Sequence, residues 1–98
     1  MITSKQRSFL RGLAQTTDTT VYIGKQGLTE NVIREIDTGL EHRELVKVKL
    51  QEGAELEPKE AANEVAAKLR AEFVQAIGRK FVLYRESKDY KQIELPRK

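Results

Sequence analysis

The chain has 98 residues, of which 39% are hydrophobic and 34% charged, a composition typical of one small globular domain with a compact core. It contains no cysteine, which excludes disulfides and thiolate metal sites, and no segment approaches the roughly 20 apolar residues needed to cross a bilayer. Its net charge of +3 combines an acidic segment, residues 51–64, with a basic segment, residues 79–98. The basic segment favours a polyanionic partner, and without a signal peptide we expect a cytoplasmic protein with no membrane partner.

The first predicted elements are a helix and a short strand. Thr3 and Gln6 have the spacing of a capping box, and the apolar residues that follow recur at helical spacing, which predicts a helix over about residues 4–15. The β-branched and aromatic residues 20–23 predict a strand, because such side chains suit a pleated surface. The sequence Gly-Lys-Gln-Gly then interrupts that strand at residues 24–27.

The next two predicted elements are a second helix and the clearest strand of the chain. Thr29 is a good N-cap for a helix over about residues 29–41, whose apolar residues form one stripe. Residues 45–50 alternate apolar residues with Lys47 and Lys49. A strand with that period of two places both lysines on one face of its sheet.

The last predicted elements are a helix and two strands. Pro58 suits the first position of a third helix, which is predicted to run to about residue 71. Strands are predicted at about residues 73–77 and 80–85, with the Gly78–Arg79 turn between them.

The order of these elements is α-β-α-β-α-β-β. This order predicts a two-layer α/β domain in which the helices pack on a mixed four-stranded sheet. The tail that follows Arg85 is polar, with Ile93 and Leu95 as expected anchors.

The Gly24–Gly27 segment is the strongest candidate binding site in the sequence. It lies between a strand and a helix N-terminus, where unpaired backbone N–H groups and the helix dipole attract an anion. Glycine lets a phosphate approach the backbone, while Lys25 adds a charge and Gln26 an amide donor. A comparable loop clamps nucleic-acid backbone in the KH module. The alternative is a turn that needs glycine for its conformation alone.

The lysines of the predicted 45–50 strand form a second candidate site. Tyr22 and Tyr84 are expected to share the face of Lys47 and Lys49, which would place rings for base stacking beside cations for phosphate. A solvated sheet face with ordinary lysines explains the same pattern. Three further cations could extend this patch: Arg79, Lys80 and Arg85.

Catalytic and metal sites are poorly supported. His42 is the only histidine and has no predicted partner or nucleophile beside it. One histidine without cysteine leaves only scattered carboxylates for a metal, and residues 52–64 lack the spacing of an EF-hand. The glycine spacing also differs from that of a P-loop or a dinucleotide-binding fingerprint. We therefore expect a protein that is not an enzyme and needs neither metal nor cofactor.

Three blocks of the sequence, taken together, resemble a known family. They read VYIGKQGLTENV at residues 21–32, LEHRELVKVK at residues 40–49 and IGRKFVLYR at residues 77–85, followed by a tail ending in IELP at residues 93–96. In this order they are similar to the signature of the YhbY-like family, the stand-alone bacterial form of the CRM RNA-binding domain. Gln15 stands where that family commonly has histidine.

This resemblance implies a single domain over residues 1–98, with a fold similar to the C-terminal domain of translation initiation factor 3. It implies binding to ribosomal RNA, in precursors of the large ribosomal subunit during assembly, by a protein expected to act as a monomer. The residues that match the family's RNA-contacting loop are Gly24, Lys25, Gln26 and Gly27. Those that match its basic positions are Lys47, Lys49, Arg79 and Arg85.

Other functions remain open at this point. A protein-interaction module that docks on ribosomal proteins would show an exposed apolar patch. A small phosphoester-handling enzyme would need a base and a nucleophile that the sequence does not supply. DNA offers the same phosphates as RNA but lacks the 2′-OH.

Overall fold

The computed structural model describes residues 1–97, which form three helices and four strands in the predicted order. The elements are α1 (Ser4–Ala14), β1 (Thr19–Ile23), α2 (Glu30–Arg43), β2 (Leu45–Leu50), α3 (Pro58–Leu69), β3 (Glu72–Ile77) and β4 (Lys80–Tyr84). The predicted caps are present: Thr3 and Gln6 form a capping box, and the Thr29 hydroxyl accepts a hydrogen bond from the Val32 N–H. Helix α2 runs further than predicted, so His42 lies within the helix and not beyond it.

The four strands form one mixed sheet, as predicted, and their order in it is β1-β2-β4-β3. Strand β1 pairs parallel with β2, whereas β4 pairs antiparallel with both β2 and β3. Strands β1 and β3 are therefore the two edges of the sheet. The parallel pair brings the C-terminal ends of β1 and β2 to the same end of the sheet, where both of their following loops begin.

Helices α2 and α3 pack on one face of the sheet and enclose the larger part of the core. This face carries the alternate residues of β2, including Val46 and Val48, together with Phe81 and Leu83 of β4. Helix α2 approaches β2 closely at Gly39, where an added Cβ would lie 2.9 Å from Cγ2 of Val46. Glycine at this position thus allows the helix to sit against the sheet.

Helix α1 packs on the opposite face, so the domain has more than the two layers expected. It contacts β2 and β3 and buries a second cluster that includes Leu10, Val74 and Val82. The predicted two layers are the sheet and the α2–α3 pair, and α1 adds a partial third layer. Periodicity identified the apolar stripe of α1 but did not specify which sheet face the stripe covers.

The C-terminal tail is fixed at the end of α2 by a buried carboxylate. Glu44 caps this helix with φ of 68° and is fully buried. Its carboxylate accepts backbone hydrogen bonds from Ser87 (2.7 Å), Gln92 (2.7 Å) and Ile93 (2.8 Å). Ile93 and Leu95 then pack against the α1 cluster, which confirms both as anchors.

Candidate nucleic-acid interface

Three loops meet at one end of the sheet. They are the glycine loop (Gly24–Gly27), the segment that follows β2, and the β3–β4 turn. The Gln51 N–H donates to the Ile23 carbonyl at 2.8 Å, and the Leu50 N–H donates to the Arg79 carbonyl at 2.7 Å. An added Cβ on Gly53 would lie 3.7 Å from Cβ of Lys25, so the first two loops are in contact.

The glycine loop is a tight turn that leads directly into α2. The Gly27 N–H donates to the Gly24 carbonyl at 3.0 Å and closes the turn, with Gly27 at φ of 77°. Two residues later Thr29 caps the helix. The loop therefore presents its central residues just before a helix N-terminus, where the dipole favours an anion.

One backbone N–H group of the glycine loop is hydrogen-bonded within the loop, and its neighbours are not. The Gly27 N–H donates to the Gly24 carbonyl. Within residues 1–97, the N–H groups of Lys25, Gln26 and Leu28 donate to no protein acceptor. Lys25 and Gln26 are exposed, and Lys25 forms no ion pair with any carboxylate in that range. The loop thus offers free amide donors beside a free cation.

The two glycines of the loop have different structural roles. Gly27 has positive φ, which is strained for any residue with a Cβ, although open space surrounds it. Gly24 does not have positive φ, and an added Cβ would meet Oε1 of Gln51 at 3.5 Å, an ordinary contact. A residue with a Cβ is therefore strained at position 27 but not at position 24.

The lysine-and-tyrosine patch predicted from β2 is only partly available. Lys49 is exposed, but the Lys47 ammonium group donates to the carbonyl oxygens of Ala14 at 3.0 Å and Thr17 at 3.3 Å. The prediction that Tyr84 offers a ring for stacking is wrong, because this residue is buried in the second core cluster and only 4% of it is exposed. Burial, with the nearby Glu44 and Glu86, raises the pKa of Tyr84 to about 12.

The two predicted arginines lie at opposite ends of the sheet. Arg79 is at the loop end, where Nη2 donates to the Ala54 carbonyl at 2.8 Å while the side chain remains exposed. Arg85 follows β4 at the far end. Its guanidinium donates to the Leu69 carbonyl at 2.9 Å and forms an ion pair with Asp37 at 2.8 Å. The structure does not bring Arg85 to the glycine loop.

Four residues form a row across the open part of the sheet, beyond the end of α1. The strand register places Tyr22 opposite Lys49, Lys49 opposite Lys80, and Lys80 opposite Ile77. We call these four residues the open-face row. Lys80 was predicted only as an extension of the lysine-and-tyrosine patch, and Ile77 was not predicted. The alternation along β4 places Lys80 on the same face as Val82 and Tyr84. This pattern was the sequence signal that could have placed Lys80 in the row.

A separate groove of about 720 Å³ runs between the free edge of β1 and α2. Its lining includes Asn31 and Arg34 near the start of α2, and His42 and Arg43 near its end. The His42 ring nitrogen Nδ1 is 2.9 Å from the Thr38 carbonyl oxygen, and the ring stacks on Tyr90. These contacts hold the His42 ring against α2 and Tyr90.

Residues 1–97 contain neither a candidate cluster of metal ligands nor a membrane-spanning helix. In this part of the chain no group of three or more histidine, aspartate or glutamate side chains is arranged to hold a metal ion. No helix described there is long and apolar enough to span a bilayer.

Known proteins match this chain over almost its whole length. The family model described as "CRS1 / YhbY (CRM) domain" matches residues 2–85. The Bacillus subtilis (strain 168) protein named "Probable RNA-binding protein YqeI" is 42% identical over 96 residues, which cover 98% of this chain and 100% of that protein. A Haemophilus influenzae protein named "RNA-binding protein" is 45% identical over 98 residues, which cover 99% of this chain and 97% of that protein.

A solved structure is similar in fold as well as in sequence. It is the solution structure of the Staphylococcus aureus protein SAV1595, described as "a putative RNA binding protein". The TM-score is 0.82 at 47% sequence identity, and the match covers 98% of this chain and 100% of that chain. The described fold is therefore that of a solved relative.

Proposed function

This chain belongs to the CRS1/YhbY (CRM) domain family, and on that premise we propose that it is an RNA-binding protein that acts as a single domain and is not an enzyme. The observation that carries the proposal is the glycine loop, whose free N–H groups and unpaired Lys25 lie at the start of α2. The names of the Bacillus and Haemophilus relatives support RNA as the ligand.

The glycine loop binds the phosphate backbone. Amide N–H groups of Lys25 and Gln26 donate to phosphate oxygens, the α2 dipole favours the negative charge, and the Lys25 ammonium adds a charge-assisted contact. The absence of a Cβ at Gly24 leaves room for the backbone of the ligand to approach. Lys49 and Arg79 stand beside the loop and extend the positive surface. Such contacts fix position, while RNA shape supplies discrimination.

In this proposal the RNA is ribosomal RNA of large-subunit precursors, bound in the cytoplasm during ribosome assembly by a monomer. The resemblance of the three sequence blocks to the YhbY-like family supports this choice. Crosslinking in cells, followed by sequencing of the attached RNA, tests it directly. Recovery of unrelated RNAs without enrichment of ribosomal precursors would contradict the assignment.

The binding role of the loop is tested with Lys25→Ala and a matched control, Lys88→Ala. Both substitutions remove one exposed lysine, but Lys88 lies in the tail at the far end of the sheet. Fluorescence anisotropy with a ribosomal RNA fragment over a salt series measures affinity. We expect Lys25→Ala to weaken binding and to reduce the slope of log K against log salt by roughly 1.

Circular dichroism confirms that each variant is folded. Equal affinity of Lys25→Ala and wild type, with unchanged spectra, would remove the loop from the binding site. Nuclease treatment before co-purification tests the alternative that this protein docks on ribosomal proteins. A direct complex with those proteins would survive the loss of RNA.

A further inference from the structure

The open-face row lies in a part of its sheet face that α1 leaves exposed. Strands are about 4.8 Å apart, so the row of four residues is about 14 Å long. Tyr22 at one end precedes Gly24 by two residues along the chain. A ligand held at the glycine loop therefore lies next to the row.

The row combines exposed apolar ends with unpaired cations. Tyr22 is 49% exposed and Ile77 is 68% exposed, although both belong to strands. Between them lie Lys49 and Lys80, and neither forms an ion pair within residues 1–97. An aromatic ring followed in the row by two such lysines suits a ligand that has both flat bases and phosphates.

A shallow depression adjoins the row where α1 ends. Its volume is about 190 Å³, and its lining combines apolar Ala14 and Val82 with the polar side chains of Gln75 and Lys80. Lys47 also lines it, but the Lys47 ammonium group is bonded to the end of α1. An apolar surface with an amide beside it can receive a planar base, whose polar edge then meets a hydrogen-bonding group.

We infer that the open-face row and this depression form a subsite for an unpaired segment of RNA. One base stacks on Tyr22, the depression receives a second base, and Lys49 and Lys80 bind the phosphates between them. A duplex cannot use this subsite, because its base faces are stacked inside the helix. The inference rests on the proposed function and specifies the class of RNA: a ligand with unpaired nucleotides next to the phosphates held by the glycine loop.

The test compares two RNAs that differ only in an unpaired extension. One is a blunt hairpin whose two strands are joined by a non-nucleotide linker, so that all of its bases are paired, and the other is the same hairpin with a short single-stranded extension. We expect wild type to bind the extended RNA more tightly. Tyr22→Leu should weaken binding of the extended RNA by about 5- to 150-fold, as loss of one stacked base does, and should change binding of the blunt hairpin little. Tyr22→Phe should retain the wild-type affinities.

Tyr90→Leu is the matched control. Tyr90 is 51% exposed, similar to Tyr22, but it stacks on His42 near the end of α2. We expect it to leave both affinities unchanged. A 2-aminopurine in the extension gives a second readout: its fluorescence should be quenched by wild type and by Tyr22→Phe, but not by Tyr22→Leu.

The outcomes separate the subsite from the proposed function. If Tyr22→Leu weakens both RNAs equally, or neither, the subsite is absent. If Lys25→Ala weakens both RNAs while Tyr22→Leu has no effect, the loop stands and the subsite is overturned. Failure of wild type to bind any RNA overturns both proposals.

Discussion

The Lys47 ammonium group donates a hydrogen bond to the carbonyl oxygen of Ala14, the last residue of α1, at 3.0 Å. This lysine of β2 thus caps the C-terminal end of α1, where a cation complements the helix dipole. Helix α1 lies on the face of the sheet opposite α2. The contact attaches α1 to the sheet. It also engages the Lys47 ammonium group, which the sequence suggested as a contact for RNA phosphates.

We predict that Lys47 contributes to stability more than to RNA binding. Lys47→Ala removes two charged hydrogen bonds to carbonyl oxygens and should lower the free energy of unfolding by about 1–2 kcal/mol. Lys49→Ala, on the same strand face, should change it by less than about 0.5 kcal/mol but should weaken RNA binding. Urea denaturation and anisotropy measure the two properties. The reverse pattern would return Lys47 to the binding site.

Arg85 should behave in the same way at the other end of the sheet. Its guanidinium joins α2 and α3 through Asp37 and the Leu69 carbonyl and is only partly exposed. We expect Arg85→Ala to cost about 1–2 kcal/mol of unfolding free energy, because solvent limits the contribution of the ion pair itself. RNA affinity of the folded variant should match wild type. A large loss of affinity without a loss of stability would show that Arg85 contacts RNA.

Substitutions of the two loop glycines should affect different properties, the free energy of unfolding for one and RNA affinity for the other. Gly27→Ala forces a residue with a Cβ into positive φ and should cost about 1–2 kcal/mol in thermal or urea unfolding. Gly24→Ala meets only an ordinary contact and should leave stability within about 0.5 kcal/mol of wild type. We expect Gly24→Ala to weaken RNA binding, because its Cβ occupies space that the phosphate backbone uses. Wild-type affinity in this variant would place the ligand away from Gly24.

Glu44 should make the tail sensitive to pH. Burial raises the pKa of this carboxyl. The N–H bonds from Ser87, Gln92 and Ile93, together with the charge of Lys91, lower it by more, so the pKa in the folded protein is below the ordinary value of 4.5. Because the folded pKa is the lower one, the stability it contributes is present above pH 4.5 and is lost as pH falls through the folded pKa.

The tail therefore depends on an ionised Glu44. Glu44→Gln leaves buried N–H groups without their carboxylate and should lower the free energy of unfolding by about 2–3 kcal/mol at neutral pH. The difference from wild type should shrink in acid. Hydrogen exchange at the amides of Ser87, Gln92 and Ile93 reports the tail itself. Unchanged protection of these amides in the variant would contradict the role assigned to the carboxylate.

Local sequence patterns predicted the elements of the fold and the position of the loop. The capping residues Thr3 and Thr29, the alternation along β2 and the turn at Gly78 each depend on neighbours within a few residues, and the structure contains all of them. The glycine loop follows from the same local chemistry, because two glycines between a strand and a capped helix leave amide groups unpaired.

Tertiary packing decided which side chains remain free. The residue types of a binding surface occur at Lys47, Tyr84 and Arg85. Lys47, however, donates to the end of α1, Tyr84 is buried in the second core cluster, and the α2–α3 pair engages Arg85. The open-face row likewise exists only because the register aligns one residue from each strand where α1 ends. Periodicity assigns a side chain to a face of its own element, whereas burial of apolar surface between elements distant in the chain determines what covers that face.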